Sequence, residues 1–148
     1  MAERIRIVVA DDHPSFRESL IRLLSLDEEI EVVGEAEDGA EAYRLALDLK
    51  PDVVVIDLKM PQMDGAEATR RIKAATPETR VVVLSVFSQN DHIRRCLDAG
   101  ADRYLTKGIS REELLAAVKA VAASRMRATE RRPKTTSGVC LASGQGGE

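Results

Sequence analysis

The amino-acid sequence predicts an α/β fold: a doubly wound, five-stranded parallel β-sheet flanked by five helices. Two observations lead to this class. Apolar runs rich in β-branched residues alternate five times with amphipathic segments, and the connections between them are short. The runs also show little alternation of polar and apolar residues, which is typical of strands covered by helices on both faces. A chain of 148 residues is long enough to form one such domain with its own core.

The strands and helices follow from these patterns in chain order. The predicted strands lie at residues 4–10, 30–36, 52–57, 80–85 and 102–106. The clearest helical spacings are Phe16, Leu20, Leu23 and Leu24, then Ala42, Leu45, Ala46 and Leu49, and finally Leu114, Val118, Val121 and Ala122. Pro14 suits the first turn of the first helix, Asp64-Gly65 the start of the third, and Gly100 the end of the fourth.

The alternation stops at about Arg125, so we predict a folded domain at residues 1–124 and a disordered basic, Gly/Ser-rich tail at residues 125–148. The tail carries five Lys/Arg against two Asp/Glu and is interrupted by Pro133. Its basic run could contact nucleic acid or a protein partner, but a solvated linker is the simpler interpretation.

Composition excludes several classes of protein. The chain is 44% apolar and 32% charged with a net charge of −3, which is typical of a globular protein. Because residues 125–148 carry +3, residues 1–124 carry −6, which argues against nucleic acid as a direct ligand of the folded domain. No apolar stretch is long enough to cross a bilayer, no signal peptide precedes the first strand, and the two cysteines lack metal or redox spacing. We therefore expect a cytoplasmic protein without membrane contact.

Polar residues follow four of the five predicted strands. Asp11 and Asp12 follow the first strand and Asp57 the third; Ser85 ends the fourth, and Lys107 comes shortly after the fifth. The carboxyl ends of parallel strands share one edge of the sheet, where ligands of such sheets bind. We therefore expect three carboxylates, a hydroxyl and an ammonium to converge on one site.

These groups can hold a divalent cation together with a phosphoryl group. Three adjacent carboxylates repel one another and raise each other's pKa values, and a hard cation removes that conflict. Mg²⁺ suits a site with few protein oxygens and several waters. One carboxylate then stays free to attack phosphorus, as in aspartyl-phosphate enzymes. Lys107 can pair with one phosphoryl oxygen, and Ser85 can donate a hydrogen bond to another.

Each of these residues also has a simpler structural interpretation. Asp12 could cap the first helix, Asp57 could be a turn residue, and Lys107 could be a solvated surface residue. Ser85 could be a strand-end hydroxyl whose hydrogen bonds are satisfied locally. Taken together, these interpretations do not explain why a chemically relevant group ends four of the five strands.

From about residue 4 to residue 124 the chain resembles the receiver (CheY-like) domain of two-component response regulators. The residues that carry the resemblance are Asp11-Asp12, Asp57, Met60-Pro61, Asp64-Gly65, Ser85 and Tyr104-Leu105-Thr106-Lys107. The segments most similar to receivers of the NarL/FixJ class are Asp11-Asp12-His13-Pro14, Val32-Val33-Gly34-Glu35-Ala36 and Ala99-Gly100-Ala101. The resemblance implies the flavodoxin-like strand order 2-1-3-4-5, which the chain's own pattern does not supply.

The resemblance also implies a role for each matched residue at the acidic site. Asp57 is expected to accept a phosphoryl group from a histidine kinase or a phosphotransfer protein. Asp12, Asp57 and the backbone carbonyl of Lys59 are expected to hold Mg²⁺, with Asp11 assisting through a water molecule.

Phosphorylation is expected to switch the domain between two states. By the resemblance, Ser85 and Lys107 bind the phosphoryl oxygens, and the ring of Tyr104 follows the Ser85 hydroxyl toward the site. The surface of the fourth helix, fifth strand and fifth helix would change, which allows partner binding or a phosphorylation-dependent homodimer.

Four further residues border the expected site. Val86 is bulkier than the small residue usual in this family and is expected to narrow access. Phe87 and Lys59 are expected to lie beside the phosphoryl group, and we hypothesise that Phe87 shields the acyl phosphate from water. His13 could be a metal ligand or a general base, but a residue outside the ligand set is the simpler interpretation.

The output of the domain has two alternatives. The chain could be a stand-alone receiver that acts through protein contacts, or the amino-terminal part of a NarL/FixJ-type DNA-binding regulator. Residues 125–148 are too few and too polar to form a helix-turn-helix domain, so this chain as given is not expected to bind DNA specifically. An enzyme is disfavoured, because dehalogenase-type phosphatases place a second acid where Lys59 stands. Only self-phosphorylation and self-dephosphorylation are expected.

Overall fold

The computed structural model describes residues 3–131, over which strands and helices alternate as the sequence predicts. The strands are β1 (Ile5–Ala10), β2 (Ile30–Ala36), β3 (Val53–Ile56), β4 (Arg80–Ser85) and β5 (Arg103–Thr106). The helices are α1 (Pro14–Ser25), α2 (Gly39–Leu49), α3 (Gly65–Ala75), α4 (Asn90–Asp98) and α5 (Arg111–Arg131).

The five strands form one parallel sheet in the order β2-β1-β3-β4-β5. The predicted fold class and strand order are both confirmed. The central strands are buried on both faces; all four residues of β3 are at most 1% exposed. This burial is why their sequence is a continuous apolar run.

Helices cover both faces of the sheet and divide the core into two layers. Ile7 and Val9 of β1 pack on one face with residues of α1 and α5, whereas Val8 and Ala10 pack on the other with residues of α2, α3 and α4. Successive residues of a strand point to opposite faces, so a single strand contributes to both layers. The helices are therefore fixed by apolar contact with the sheet, which leaves the loops at the strand ends free to carry polar groups.

Three helix ends that the sequence predicted, at Pro14, Asp64-Gly65 and Gly100, are confirmed. Pro14 stands in the first turn of α1, and the Asp64 carboxylate accepts a hydrogen bond from the backbone N–H of Glu67 at 3.0 Å, which caps α3. Gly100 follows α4 with φ +111°, a left-handed conformation that favours glycine.

The end of α5 differs from the prediction. The helix continues to Arg131, beyond the boundary predicted at residue 124. Residues 125–131 contain neither glycine nor proline and are mostly good helix formers, so the backbone can continue once α5 is anchored on the sheet. The rest of the predicted tail, at residues 132–148, lies outside the described residues. Within residues 3–131, no helix is long and apolar enough to span a bilayer.

The strand order creates one crevice. From β1 the chain moves to β2 on one side, whereas β3, β4 and β5 follow on the other. The loops after β1 and β3 therefore diverge, and the space between them is where open parallel sheets bind ligands. The predicted acidic residues lie in these two loops.

Candidate functional site

The sheet ladder itself fixes the acidic residues. The backbone N–H of Asp11 donates to the Ala36 carbonyl at 3.1 Å, and that of Asp57 donates to the Ala10 carbonyl at 2.9 Å. Both acids thus extend the regular pairing beyond the last strand residue. Their side chains start from rigid backbone positions, and both residues are almost fully buried.

A glycine shapes the loop after Asp57. The backbone N–H of Gly65 donates to the Leu58 carbonyl at 2.7 Å, which folds the start of α3 back onto the end of β3. A Cβ atom at position 65 would lie 2.2 Å from the Asp57 carbonyl oxygen. Only glycine allows this approach, which explains the Asp64-Gly65 pair at the start of α3.

Three predicted site residues meet through direct ion pairs. The ammonium of Lys107 lies 2.8 Å from Asp11 Oδ2 and 3.4 Å from Asp57 Oδ2. Lys107 therefore joins the loop after β5 to the loops after β1 and β3. The predicted convergence of Asp11, Asp57 and Lys107 at one edge of the sheet is observed.

Burial raises the pKa of the Asp57 carboxyl above its usual value. The positive charge of Lys107 opposes this rise, and the negative charge of Asp11 adds to it. The acidic site thus holds negative charge in a desolvated position with incomplete compensation. Such a carboxylate gains from the arrival of a further cation.

Asp12 and His13 complete an acidic cluster. Asp11, Asp12, His13 and Asp57 each offer one ligand atom, and these atoms lie within 4.8 Å of one another. The buried Oδ1 atom of Asp12 accepts no hydrogen bond. His13 Nδ1 lies 3.2 Å from this Asp12 oxygen, but the two atoms do not have hydrogen-bond geometry. The same nitrogen forms a hydrogen bond with Asp11 Oδ1 at 3.2 Å. This cluster could bind a metal ion, which would give the Asp12 oxygen the partner it lacks.

The capping interpretation of Asp12 is not supported. The residue at the N-cap of α1 is His13, and no side chain caps this helix end. The Asp11 carboxylate accepts the backbone N–H of His13 at 2.8 Å. Asp12 is therefore available for other chemistry.

A second group of contacts links the ends of β4 and β5. The backbone N–H of Lys107 donates to the Ser85 carbonyl at 2.9 Å, and the buried Ser85 hydroxyl oxygen accepts the backbone N–H of Phe87 at 3.1 Å. The Tyr104 hydroxyl donates to the Phe87 carbonyl at 2.6 Å. Burial raises the pKa of this phenol, so the hydroxyl stays a donor. Ser85 and Tyr104 are thus connected through one backbone segment.

The bordering residues differ in exposure. Val86 is 67% exposed, whereas Phe87 packs partly against the core and its ring lies 4.9 Å from that of His92. The ammonium of Lys59 lies 5.5 Å from the centre of the Phe87 ring, a cation–π distance. Phe87 and Lys59 are therefore in contact with each other, and their place beside the phosphoryl group stays a prediction.

Sequence reasoning missed two contributions from α1. The Lys107 ammonium lies 4.1 Å from the centre of the Phe16 ring, so a residue predicted only as part of the helix pattern also contacts the site. Arg17 is buried and its guanidinium donates to the Asp11 carbonyl at 2.6 Å. The sequence did contain a signal for the buried position of Arg17. This arginine shares helical spacing with Leu20 and Leu24, which places a charged residue on the apolar face of α1.

Comparison with known proteins agrees with this geometry. The family model of the response regulator receiver domain matches residues 7–119. The transcriptional regulatory protein DegU of Brevibacillus brevis is 40% identical over 119 residues, which are 80% of this chain and 50% of that protein. The probable transcriptional regulatory protein NarL of Mycobacterium tuberculosis is 41% identical over 116 residues, 78% of this chain and 54% of that protein. The chain thus spans about half the length of these curated relatives.

Solved structures show the same fold. The receiver domain of the putative response regulator NarL from Mycobacterium tuberculosis superposes with a TM-score of 0.80 at 40% identity, covering 82% of this chain and 98% of that chain. A LuxR-family response regulator from Aurantimonas gives 0.79 at 37% identity, covering 83% and 88%. The chain therefore belongs to the response regulator receiver domain family, the phosphorylated signalling modules of two-component systems, and is related to the NarL, DegU and GacA regulators.

Proposed function

We propose that Asp57 is the phosphoacceptor of this receiver and that phosphorylation requires Mg²⁺. The observation that carries the proposal is the position of the Asp57 carboxylate, which is buried at the switch point of the sheet, 3.4 Å from the Lys107 ammonium. A phosphoryl group on Asp57 would have the ammonium within reach. Asp11 is already paired with Lys107 at 2.8 Å and is less free to act as a nucleophile.

The carboxylates present fit a hard divalent cation. Asp12, Asp57 and the backbone carbonyl of Lys59 would hold Mg²⁺, with Asp11 contributing through water. Few protein oxygens with room for water match the preference of Mg²⁺, and the orphaned Asp12 oxygen supports this assignment. When bound, the ion neutralises the repulsion between the carboxylates and the incoming phosphoryl group.

The phosphoryl transfer then follows from the residues in place. One oxygen of Asp57 forms a bond to phosphorus while the bond from phosphorus to the donor breaks, and the donor departs with the electron pair. Lys107 holds one phosphoryl oxygen by a charge-assisted hydrogen bond, and the Ser85 hydroxyl donates to another. The Ser85 oxygen accepts a hydrogen bond from the Phe87 N–H, and this contact does not use the hydroxyl proton.

The switch would act through Ser85 and Tyr104. Moving a two-state element from 1:99 to 99:1 needs about 5.5 kcal/mol of differential interaction. Two or three charge-assisted bonds that exist only in the phosphorylated state, each about 1.5–3 kcal/mol, supply that amount. When the Ser85 hydroxyl turns to the phosphate, the segment at Phe87 shifts and the hydrogen bond from Tyr104 changes. The change reaches α4, β5 and α5, where a partner or a second copy would bind.

A receiver of this kind interacts with a kinase or another phosphodonor. We propose a histidine kinase or a phosphotransfer protein as that donor, and self-phosphorylation and self-dephosphorylation as the only reactions of the chain. Lys59 stands two residues after Asp57, where dehalogenase-type phosphatases carry a general acid. An ammonium there does not supply that acid function, which disfavours turnover of a separate substrate.

Phosphorylation with acetyl phosphate and intact-protein mass spectrometry test the proposal. We expect a Mg²⁺-dependent mass increase of one phosphoryl group that is absent in Asp57→Asn. Asp98→Asn, a change of an exposed acid on α4, is the matched control and should be phosphorylated normally. Phosphorylation of Asp57→Asn would contradict the assignment. So would phosphorylation of the unmodified chain that persists in EDTA, or no phosphorylation of that chain with Mg²⁺ and acetyl phosphate.

A second candidate concerns the output. DegU and NarL are named transcriptional regulatory proteins, and the matched region is about half of their length. We propose as the alternative that the receiver controls a DNA-binding helix-turn-helix domain of a longer parent protein. A gel-shift experiment with this chain should show no specific DNA binding. The length of the natural reading frame separates this alternative from a stand-alone receiver.

A further inference from the structure

Arg17 is a charged residue in a buried position. It lies on α1 among the residues that face the sheet and is only 8% exposed. Burying a guanidinium is unfavourable unless its charge and its donors are matched. The groups that balance the charge of Arg17 and accept its hydrogen bonds therefore indicate the role of this residue.

The guanidinium has two kinds of partner. On one side its Nε donates to the Glu35 carboxylate at 2.8 Å, and Nη2 lies 3.8 Å from the Glu37 carboxylate. These acids lie at the end of β2 and balance the positive charge. On the other side Nη1 donates to the backbone carbonyl of Asp11 at 2.6 Å, in a buried bond. Arg17 thus reaches the loop that carries Asp11 and Asp12.

The contact with the carbonyl fixes the orientation of one peptide group. The Asp11 N–H is held by the Ala36 carbonyl at 3.1 Å, and the Asp11 carbonyl is held by Arg17. Because the peptide bond is planar, fixing the Asp11 carbonyl also fixes the N–H and Cα of Asp12. The backbone position from which the Asp12 side chain starts is therefore held by a residue outside the acidic cluster.

We propose that Arg17 is a positioning residue for the cation site: it orients the Asp11–Asp12 peptide so that both carboxylates face the ion. The inference rests on the proposed function of the acidic cluster. Residues that orient metal ligands affect affinity although they do not contact the ion, and their loss typically weakens metal binding by about 10- to 100-fold. A purely structural role, joining α1 to β2 through Glu35, would have no such effect.

The two roles can be separated because Arg17 uses different atoms for each. Arg17→Met keeps the apolar stem but removes both contacts, whereas Glu35→Ala removes the tie to β2 and leaves the Asp11 carbonyl bond possible. Arg17→Lys keeps one donor and the charge. Arg22→Ala removes an exposed arginine from the same helix and is the matched control.

The measurement is Mn²⁺ affinity in the unphosphorylated full chain, followed by the electron paramagnetic resonance signal of the free ion. Circular dichroism at the same temperature reports the folded fraction of each variant. We expect affinity to fall roughly tenfold or more in Arg17→Met. Arg17→Lys should lie between Arg17→Met and the unmodified chain. Glu35→Ala should have a lower free energy of unfolding, but its Mn²⁺ affinity should stay within about threefold of that of the unmodified chain. Arg22→Ala should match the unmodified chain in both.

Equal Mn²⁺ affinity in Arg17→Met and the unmodified chain would overturn the inference, as would equal losses in Arg17→Met and Glu35→Ala. If Arg17→Met does not fold, Arg17→Lys decides, and unchanged affinity there overturns it. Asp12→Asn tests the site itself. If the unmodified chain does not bind Mn²⁺, or Asp12→Asn binds it equally well, the proposed metal site fails rather than the role of Arg17.

Discussion

Buried or half-buried acids lie both at the edge of the β-sheet where the strands begin and at the edge where they end. The two edges differ in how far neighbouring cations compensate the negative charge. At the edge where the strands begin, the Asp102 carboxylate lies 3.1 Å from Lys73 Nζ and 3.3 Å from Arg80 Nη1, and it accepts the backbone N–H of Val81 at 2.8 Å. At the edge where the strands end, Asp11 and Asp57 share Lys107.

The difference lies in the ratio of acids to cations. Asp102, one acid with two cations and a backbone donor, has its charge compensated, although the buried Arg80 Nε makes no hydrogen bond, and these contacts tie β4 and β5 to the end of α3. Asp11 and Asp57 share one ammonium, with Asp12 in the same cluster, so positive charge is short there, and burial makes that shortage costly. A protein keeps such a deficit where a ligand supplies what is missing. The comparison therefore separates a structural ion network from a binding site by its charge alone.

The largest expected effect comes from removing the lysine at each edge. Lys107→Met should lower the rate of phosphorylation by acetyl phosphate by ~10²–10³-fold, because the phosphoryl group loses a positioned donor. Lys73→Met should leave this rate within about twofold but lower the free energy of unfolding by about 1–3 kcal/mol, since Asp102 loses a partner.

Mass spectrometry over time gives the rate, and urea unfolding followed by circular dichroism gives the stability. If Lys73→Met slows phosphorylation as much as Lys107→Met, the separation of the two edges into structural and functional is wrong.

The second-largest effect is expected from backbone packing at the edge where the strands end, which we call the functional edge. In Gly65→Ala the new Cβ would meet the Asp57 carbonyl oxygen at 2.2 Å, so the loop must move. We expect a loss of about 2–3 kcal/mol in unfolding free energy and slower phosphorylation. Gly108→Ala is the control, because a Cβ there meets no atom within 4 Å, and its effect should stay within about 0.5 kcal/mol. Equal midpoints of urea unfolding for the two variants would show that the loop tolerates the displacement.

Neutralising one acid at each edge should change stability in opposite directions when EDTA is present. Asp102→Asn removes the charge that compensates Lys73 and Arg80, and we expect a loss of about 1–2 kcal/mol. Asp57→Asn removes a desolvated charge that Asp11 repels, so the unfolding free energy should rise, by about 1 kcal/mol. Urea unfolding at neutral pH measures both. Destabilisation by Asp57→Asn would mean that Lys107 already compensates the cluster.

Much of the fold was predictable because the strands are apolar runs. The predicted bounds of β1 differ from the observed ones by one residue at one end and those of β3 by one residue at each end, and Pro14 and Gly100 mark helix ends through local chemistry. The convergence of the acids with Lys107 followed from parallel topology alone. The strand order did not follow from the pattern; it depended on the resemblance to receivers.

The predictions failed where side chains from distant segments combine. Arg17 is buried because Glu35 and the Asp11 carbonyl meet its guanidinium, and spacing along α1 does not show these partners. The position of the Phe16 ring beside Lys107 depends on how α1 packs on the sheet. The length of α5 beyond residue 124 was missed because helix propensity was weighed below the loss of apolar periodicity.

The smallest expected effect concerns Phe87, which we propose shields an acyl phosphate on Asp57 from water. Phe87 is partly buried, and Lys59 lies against its ring, so the ring can keep water from an acyl phosphate on Asp57. Phe87→Ala should speed dephosphorylation about threefold, which is less than 1 kcal/mol of activation free energy. Leu97→Ala, a change of an exposed apolar residue on α4, should leave the decay unchanged. The decay of the phosphorylated mass after removal of the donor measures both variants. An unchanged or slower decay in Phe87→Ala would show that water reaches the phosphoryl group by another path, and the deficit of positive charge would then be the main feature that distinguishes this edge.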